Sequence, residues 1–138
     1  MLHLSQTLRD EILDAAGAAF PMECCGLIEG VCTTDMWRAI AVHRTRNLAD
    51  DPTHYFLVDP QAHFELLRSL RGSERRIIGC FHSHPNGLSV PSANDRAKAI
   101  EPDFVWLIVF GEKAGSFGLN AYVFDKRAGD FVALRLCL

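Results

Sequence analysis

The stretch HSHPNGLSVPSAND, residues 82–95, decides how the chain is read. It opens on two histidines two residues apart. On an extended backbone alternate side chains point the same way, so the His82 and His84 imidazoles can reach one point. Pro85 ends regular pairing, and residues 85–91 (PNGLSVP) are rich in turn formers. Ser92 suits a helix N-cap. Asp95 then falls in the first helical turn on the same side as Ser92, where the helix N-terminus favours a carboxylate. If the loop folds back, Asp95 joins the imidazoles. Two imidazoles and a carboxylate leave a fourth metal position open for water. That is the pattern of catalytic zinc sites, since structural ones are usually closed by four protein ligands.

Working outward, Arg75–His82 (RRIIGCFH) is apolar on both faces at its centre and reads as a buried strand that delivers the histidines. Ser92–Ile100 reads as a helix, Phe104–Phe110 (FVWLIVF) as an apolar strand, and Gly118–Asp125 and Phe131–Cys137 as two strands joined by a turn at Lys126–Asp130. Upstream, residues 5–19 form a helix. Ser5 caps it, Leu4, Leu8, Ile12, Ala15, Ala16 and Ala19 recur at helical spacing, and Pro21 stops it. Residues 24–31 and 35–46 read as strands about a short polar turn, residues 47–53 as a loop, and His54–Val58 as a short strand. Pro60 opens a helix running to about Leu70, with Phe64, Leu67 and Leu70 turned inward. Helices at intervals along a run of strands predict a mixed α/β fold, a curled sheet with flanking helices.

Glu23 is the acid that needs a reason. It follows Pro21 and Met22 and precedes the apolar strand beginning at Cys24. Alone, it reads as an exposed residue at a strand edge. Beside a metal site, a partly buried glutamate is suited to moving protons. Glu11 and Glu65 sit on helical faces and Glu74 in a turn.

Taken together, H-x-H, seven residues, S, two residues, D is met by His82, His84, Ser92 and Asp95. Pro21, Glu23, Cys25, Gly26 and Leu27 meet an upstream P-x-E-x-C-G-L context. The chain thereby resembles the JAMM (MPN-plus) metallopeptidases, in their compact prokaryotic single-domain form, over nearly its whole length. The resemblance implies a JAMM/MPN fold related to the cytidine-deaminase scaffold, in one domain spanning residues 1–138. It implies one Zn2+ per chain held by His82, His84 and Asp95. Glu23 would hold the catalytic water and act as base, then acid, and Ser92 would hydrogen-bond the oxyanion. It further implies hydrolysis of a peptide or isopeptide bond after the C-terminal Gly-Gly of a ubiquitin-like or sulfur-carrier protein, with residues 47–58 and 86–91 flanking the groove. An extended tail could add there as a strand.

Each residue also has a plainer reading. Two histidines at a strand end are commonly hydrogen-bonded surface residues, Ser92 a cap and Asp95 a dipole-matched acid. Their joint occurrence at this spacing favours the site. His3, His43, His54 and His63 lack such a setting, while Cys80 and Trp106 read as core. Relatives that serve only as assembly scaffolds supply the alternative, a non-catalytic MPN-type interaction module; retention of Glu23, His82, His84, Ser92 and Asp95 argues against it. Deaminase chemistry expects H-x-E and P-C-x-x-C segments, and neither is present.

Composition narrows the class further. The 138 residues are 49% hydrophobic and 22% charged, ordinary for a globular domain. A net charge of −3 with scattered basic residues disfavours nucleic acid. No apolar run is long enough for a transmembrane helix, and Met1–Phe20 lacks the features of a signal peptide. The five cysteines are odd in number and form no C-x-x-C pair, as suits reduced thiols in a cytoplasmic protein.

Overall fold

A computed structural model gives the architecture of the chain and describes residues 1–34, 36–99, 101–113 and 115–138. The elements in chain order are β1 (Leu2–His3), α1 (Gln6–Ala19), β2 (Cys25–Thr33), β3 (Met36–Thr45), α2 (Pro60–Ser69), β4 (Arg76–His84), α3 (Ala93–Lys98), β5 (Val105–Phe110), β6 (Gly118–Asp125), β7 (Asp130–Leu134) and β8 (Leu136–Cys137). Asp35 and Ile100, expected to open a strand and extend a helix, lie outside the described residues.

The strands form one eight-stranded mixed sheet in the order β7-β6-β5-β4-β2-β3-β1-β8. β4 lies near its middle, antiparallel to β2 and parallel to β5. A strand covered on both faces can be apolar throughout, and β4 and β5 carry buried residues over most of their length. β7 and β8 stand at opposite ends of the strand order although only Arg135 separates them. The sheet must therefore curl until its ends nearly meet, which is the mixed, curled α/β architecture expected.

The two faces bury separate clusters. On one, α1 lays Leu8, Ile12, Ala15 and Ala16 against Ile28, Phe81, Leu107 and Val109. The Ser5 hydroxyl accepts from the Leu8 amide and caps that helix. On the other, Cys25, Leu27, Cys80 and Trp106 gather with Phe56 and Leu66 under α2 and the loop before it. Period-two alternation along β4 assigns the residues: Phe81 faces the first cluster, Cys80 the second.

Three expectations fail. His54–Val58 is not a strand; it makes only an isolated bridge, Asn47 to Val58, because the Asn47 side chain takes up its backbone groups instead. Phe64 and Leu67 on α2 point outward, 56% and 53% exposed, and Leu66 is the buried residue. Adjacent residues on a helix lie about 100° apart, so Leu66 and Leu67 cannot share an inward face. Ala62, His63, Leu66 and Leu70 form the inward stripe, and Phe64 lies under the Arg68 guanidinium at 6.0 Å. Finally, the segment read as one strand from Phe131 to Cys137 is two strands with different partners: β7 pairs with β6 and β8 with β1.

Candidate metal centre

β4 ends on His82-Ser83-His84, so alternation puts both imidazoles on one face and Ser83 on the other. The chain then turns through Pro85–Pro91 and re-enters as α3, whose start is closed by a capping box. The Ser92 hydroxyl accepts from the Asp95 amide at 3.0 Å, and the Asp95 carboxylate accepts from the Ser92 amide at 2.9 Å. That exchange aims Asp95 Oδ2 back at the strand. His82 Nε2 and His84 Nε2 lie 3.0 Å apart, and Asp95 Oδ2 lies 3.2 Å from the first and 3.1 Å from the second. All three residues are buried.

Glu23 approaches from β2. Cys24 and Ser83 exchange two bonds, Ser83 N–H to the Cys24 carbonyl at 3.1 Å and Cys24 N–H to the Ser83 hydroxyl at 2.7 Å. This pins the residue before β2 beside the histidines. Glu23 donates its own amide to the Pro52 carbonyl at 2.7 Å, and its carbonyl accepts from the Asn47 amide at 3.0 Å. A carboxylate oxygen of Glu23 and one nitrogen of each histidine all lie within 4.8 Å of one another. The plainer reading of Glu23 as an exposed strand-edge acid does not hold, because the side chain is buried.

Burial and charge set the protonation of these groups. Desolvation raises the Glu23 pKa to about 8, opposed by His84 and helped by Asp95. Desolvation would also raise Asp95, but the hydrogen bonds from His82 and His84 outweigh it and hold the carboxyl well below its usual range. Desolvation lowers His82. At His84 burial is outweighed by the bonds to Asp95 and the Leu88 carbonyl, which raise its pKa.

The donor set fits a divalent ion. His84 Nδ1 lies 2.8 Å from the Leu88 carbonyl, which can only accept, so Nδ1 carries a proton and neutral His84 presents Nε2 as a lone pair. His82 Nδ1 is buried with no partner among the described residues. Three lone-pair atoms 3.0–3.2 Å apart repel unless a proton or cation lies between them. Ligands of a tetrahedral zinc at about 2.0–2.1 Å stand roughly 3.3 Å apart.

Several neighbours carried no sequence signal. Phe56 stacks on His82 with ring centroids 4.2 Å apart and 16° between planes, and Trp106 meets the same imidazole edge-on at 5.9 Å. Lys98 lies 4.8 Å from the Phe56 ring centre and donates to its carbonyl at 2.7 Å. Asn47 and Ser83 were also unmarked, although Ser83, flanked by both histidines, had to face the opposite side of the sheet. His43 bonds Glu29, His54 bonds Asp51, and His3 contacts Cys137, all away from the centre. Burial pushes the Cys24 thiol up to about 11 and raises Cys25 and Cys80, so none is primed as a nucleophile. A cleft of about 560 Å³ opens beside Glu23, walled by Met22, Arg44, Arg46, Asn47 and Pro52.

The chain is 36% identical over 111 residues to a Haloferax volcanii protein named desampylase, covering 78% of each chain. It is 26% identical over 106 residues to the tail tip assembly protein K of Escherichia phage N15, covering 77% of this chain and 40% of that protein. A solution structure of a Desulfitobacterium hafniense protein superposes with a TM-score of 0.86 at 27% identity, over 100% of this chain and 92% of that one. One from Salinibacter ruber gives 0.72 at 26% identity, over 99% and 90%. Residues 5–124 match the family described as prokaryotic homologs of the JAB domain, and the chain belongs to that family.

Proposed function

We propose that the protein is a zinc-dependent peptidase or isopeptidase that cleaves after the C-terminal Gly-Gly of a ubiquitin-like or sulfur-carrier protein. The observation that carries this reading is the convergence of His82 Nε2, His84 Nε2 and Asp95 Oδ2 to 3.0–3.2 Å, with Glu23 close by. Zinc, when bound, supplies Lewis acidity toward water and the scissile carbonyl. His82, His84 and Asp95 hold the ion. Glu23 stands within 4.8 Å of a nitrogen of each histidine and serves as the proton carrier. A buried carboxylate beside the ion suits a group that accepts a proton from water and returns it to the leaving amine. Ser92 accepts from the Asp95 amide and keeps its own hydroxyl proton, which it can donate to the oxyanion.

Two glycines suit a narrow approach to the ion, where a side chain would block access. The similarity to a desampylase supports a ubiquitin-like substrate. The catalytic unit is residues 1–138 as a single domain, with its free thiols reduced in the cytoplasm.

The test uses ubiquitin-like and sulfur-carrier proteins extended beyond Gly-Gly, incubated with the zinc-loaded protein and read by mass spectrometry. Cleavage directly after Gly-Gly, lost in Glu23→Gln, is the expected outcome. A zinc-loaded protein that cleaves none of them loses this substrate class. Unchanged cleavage by Glu23→Gln would instead restore the reading of the fold as a non-catalytic interaction module.

A further inference from the structure

The loop between the two halves of the site is held from outside it. Asn120 and Tyr122 are two apart on β6 and share a face. Register carries that face across the sheet to the histidines: Asn120 lies opposite Ile108, which lies opposite His82, and Tyr122 lies opposite Trp106, which lies opposite Cys80. The loop leaving His84 folds back over this face. There the Ser89 carbonyl accepts from Asn120 Nδ2 at 3.0 Å and from the Tyr122 hydroxyl at 2.9 Å. Two side-chain donors thus occupy one half-buried loop carbonyl. The preceding carbonyl, of Leu88, is the one that meets His84 Nδ1 at 2.8 Å. The turn is shaped from within as well, by the Leu88 amide on Asn86 Oδ1 at 3.0 Å and by Gly87 at φ +84°.

We propose that Asn120 and Tyr122 are positioning residues for the metal centre: by fixing the Ser89 carbonyl they hold the Leu88 carbonyl on His84 Nδ1, and so commit His84 Nε2 to the ion. The inference rests on the metal-site reading above. A carbonyl can only accept, so contact with it keeps the proton on Nδ1 and the lone pair on Nε2. Partners of this kind orient ligand imidazoles, and their loss commonly weakens metal binding about 10–100-fold. His82 has no such bond, its Nδ1 being unpartnered among the described residues; the Phe56 ring stacked on it at 4.2 Å fixes its plane instead. The two histidines are therefore held by different means, and only His84 depends on β6.

The experiment measures zinc affinity by competition with a chromophoric chelator, in the parent, in Asn120→Leu and Tyr122→Phe, and in the double variant. Tyr122→Phe keeps the ring that meets Phe131 edge-on at 6.3 Å. The double variant is expected to bind zinc about 10–100-fold more weakly, with each single variant nearer the parent because one donor remains. Thermal unfolding of the metal-free proteins should be nearly unchanged, whereas a merely structural role would move unfolding and leave affinity alone. Parental affinity in a folded double variant would overturn the proposal while leaving the metal site standing. No zinc uptake by the parent would end both. Should the double variant fail to fold, the single variants decide: a fall in zinc affinity in either folded single variant supports the proposal, and parental affinity in both refutes it.

Discussion

Glu23 is the residue at which burial and charge oppose each other most directly. Its carboxyl is raised from 4.5 to about 8, chiefly by desolvation. In metal-free protein the folded state therefore binds a proton that the unfolded chain releases above about pH 4.5. Stability from this group is full below that value and is lost as pH rises toward about 8. Glu23→Gln should flatten this part of the curve and raise urea-unfolding midpoints at pH 8–9 relative to the parent. In zinc-loaded protein the same substitution should lower hydrolysis by roughly 10²–10⁴-fold with zinc retained, whereas His82→Ala and Asp95→Ala should lose stoichiometric zinc. Metal analysis beside activity separates the proton carrier from the ligands. A Glu23→Gln protein that loses zinc like Asp95→Ala would make Glu23 the third ligand instead.

At the scale of elements, α3 is only six residues long and depends on its cap. Ser92→Ala removes the acceptor for the Asp95 amide and should destabilise the protein by about 0.5–2 kcal/mol in chemical unfolding. It should also loosen Asp95, so weaker zinc binding accompanies the loss of the hydroxyl donor. The meeting of β4 and β5 offers a second test. A Cβ at Gly79 would run into the Val105 carbonyl, so Gly79→Ala must push the strands apart. Overpacking of that kind costs typically 1–3 kcal/mol, and the shift reaches the strand that carries both histidines.

For the whole molecule, a bound ion would link strand and helix. His82 and His84 come from β4 and Asp95 from α3, and Glu23 precedes β2. A ligand binding only the folded state stabilises it by about 4 kcal/mol at a thousand times its Kd. In a chain of this length that raises Tm by on the order of 10 °C. Zinc should produce such a shift in the parent and none in His84→Ala, measured by calorimetry with and without chelator.

Much of this was written in the chain locally. Ser5, Pro21 and Pro60 bound helices through capping and fixed φ, and the H-x-H spacing placed two imidazoles on one face wherever the strand went. Ser92 and Asp95 formed their box because both partners lie within one turn. These features are short-range, so sequence determined them, along with the family and the donor types. What it could not determine were the long-range meetings. Leu66 or Leu67 could equally have turned inward until the sheet chose. Phe56 reached His82 through a loop that Asn47 and Lys98 tie down from distant parts of the chain. Phe131–Cys137 divided at Arg135 because the sheet curls until its two ends accept one chain in succession. Spacing fixes which side chains share a face, whereas tertiary structure alone decides which faces meet, because that depends on chain closure over many residues.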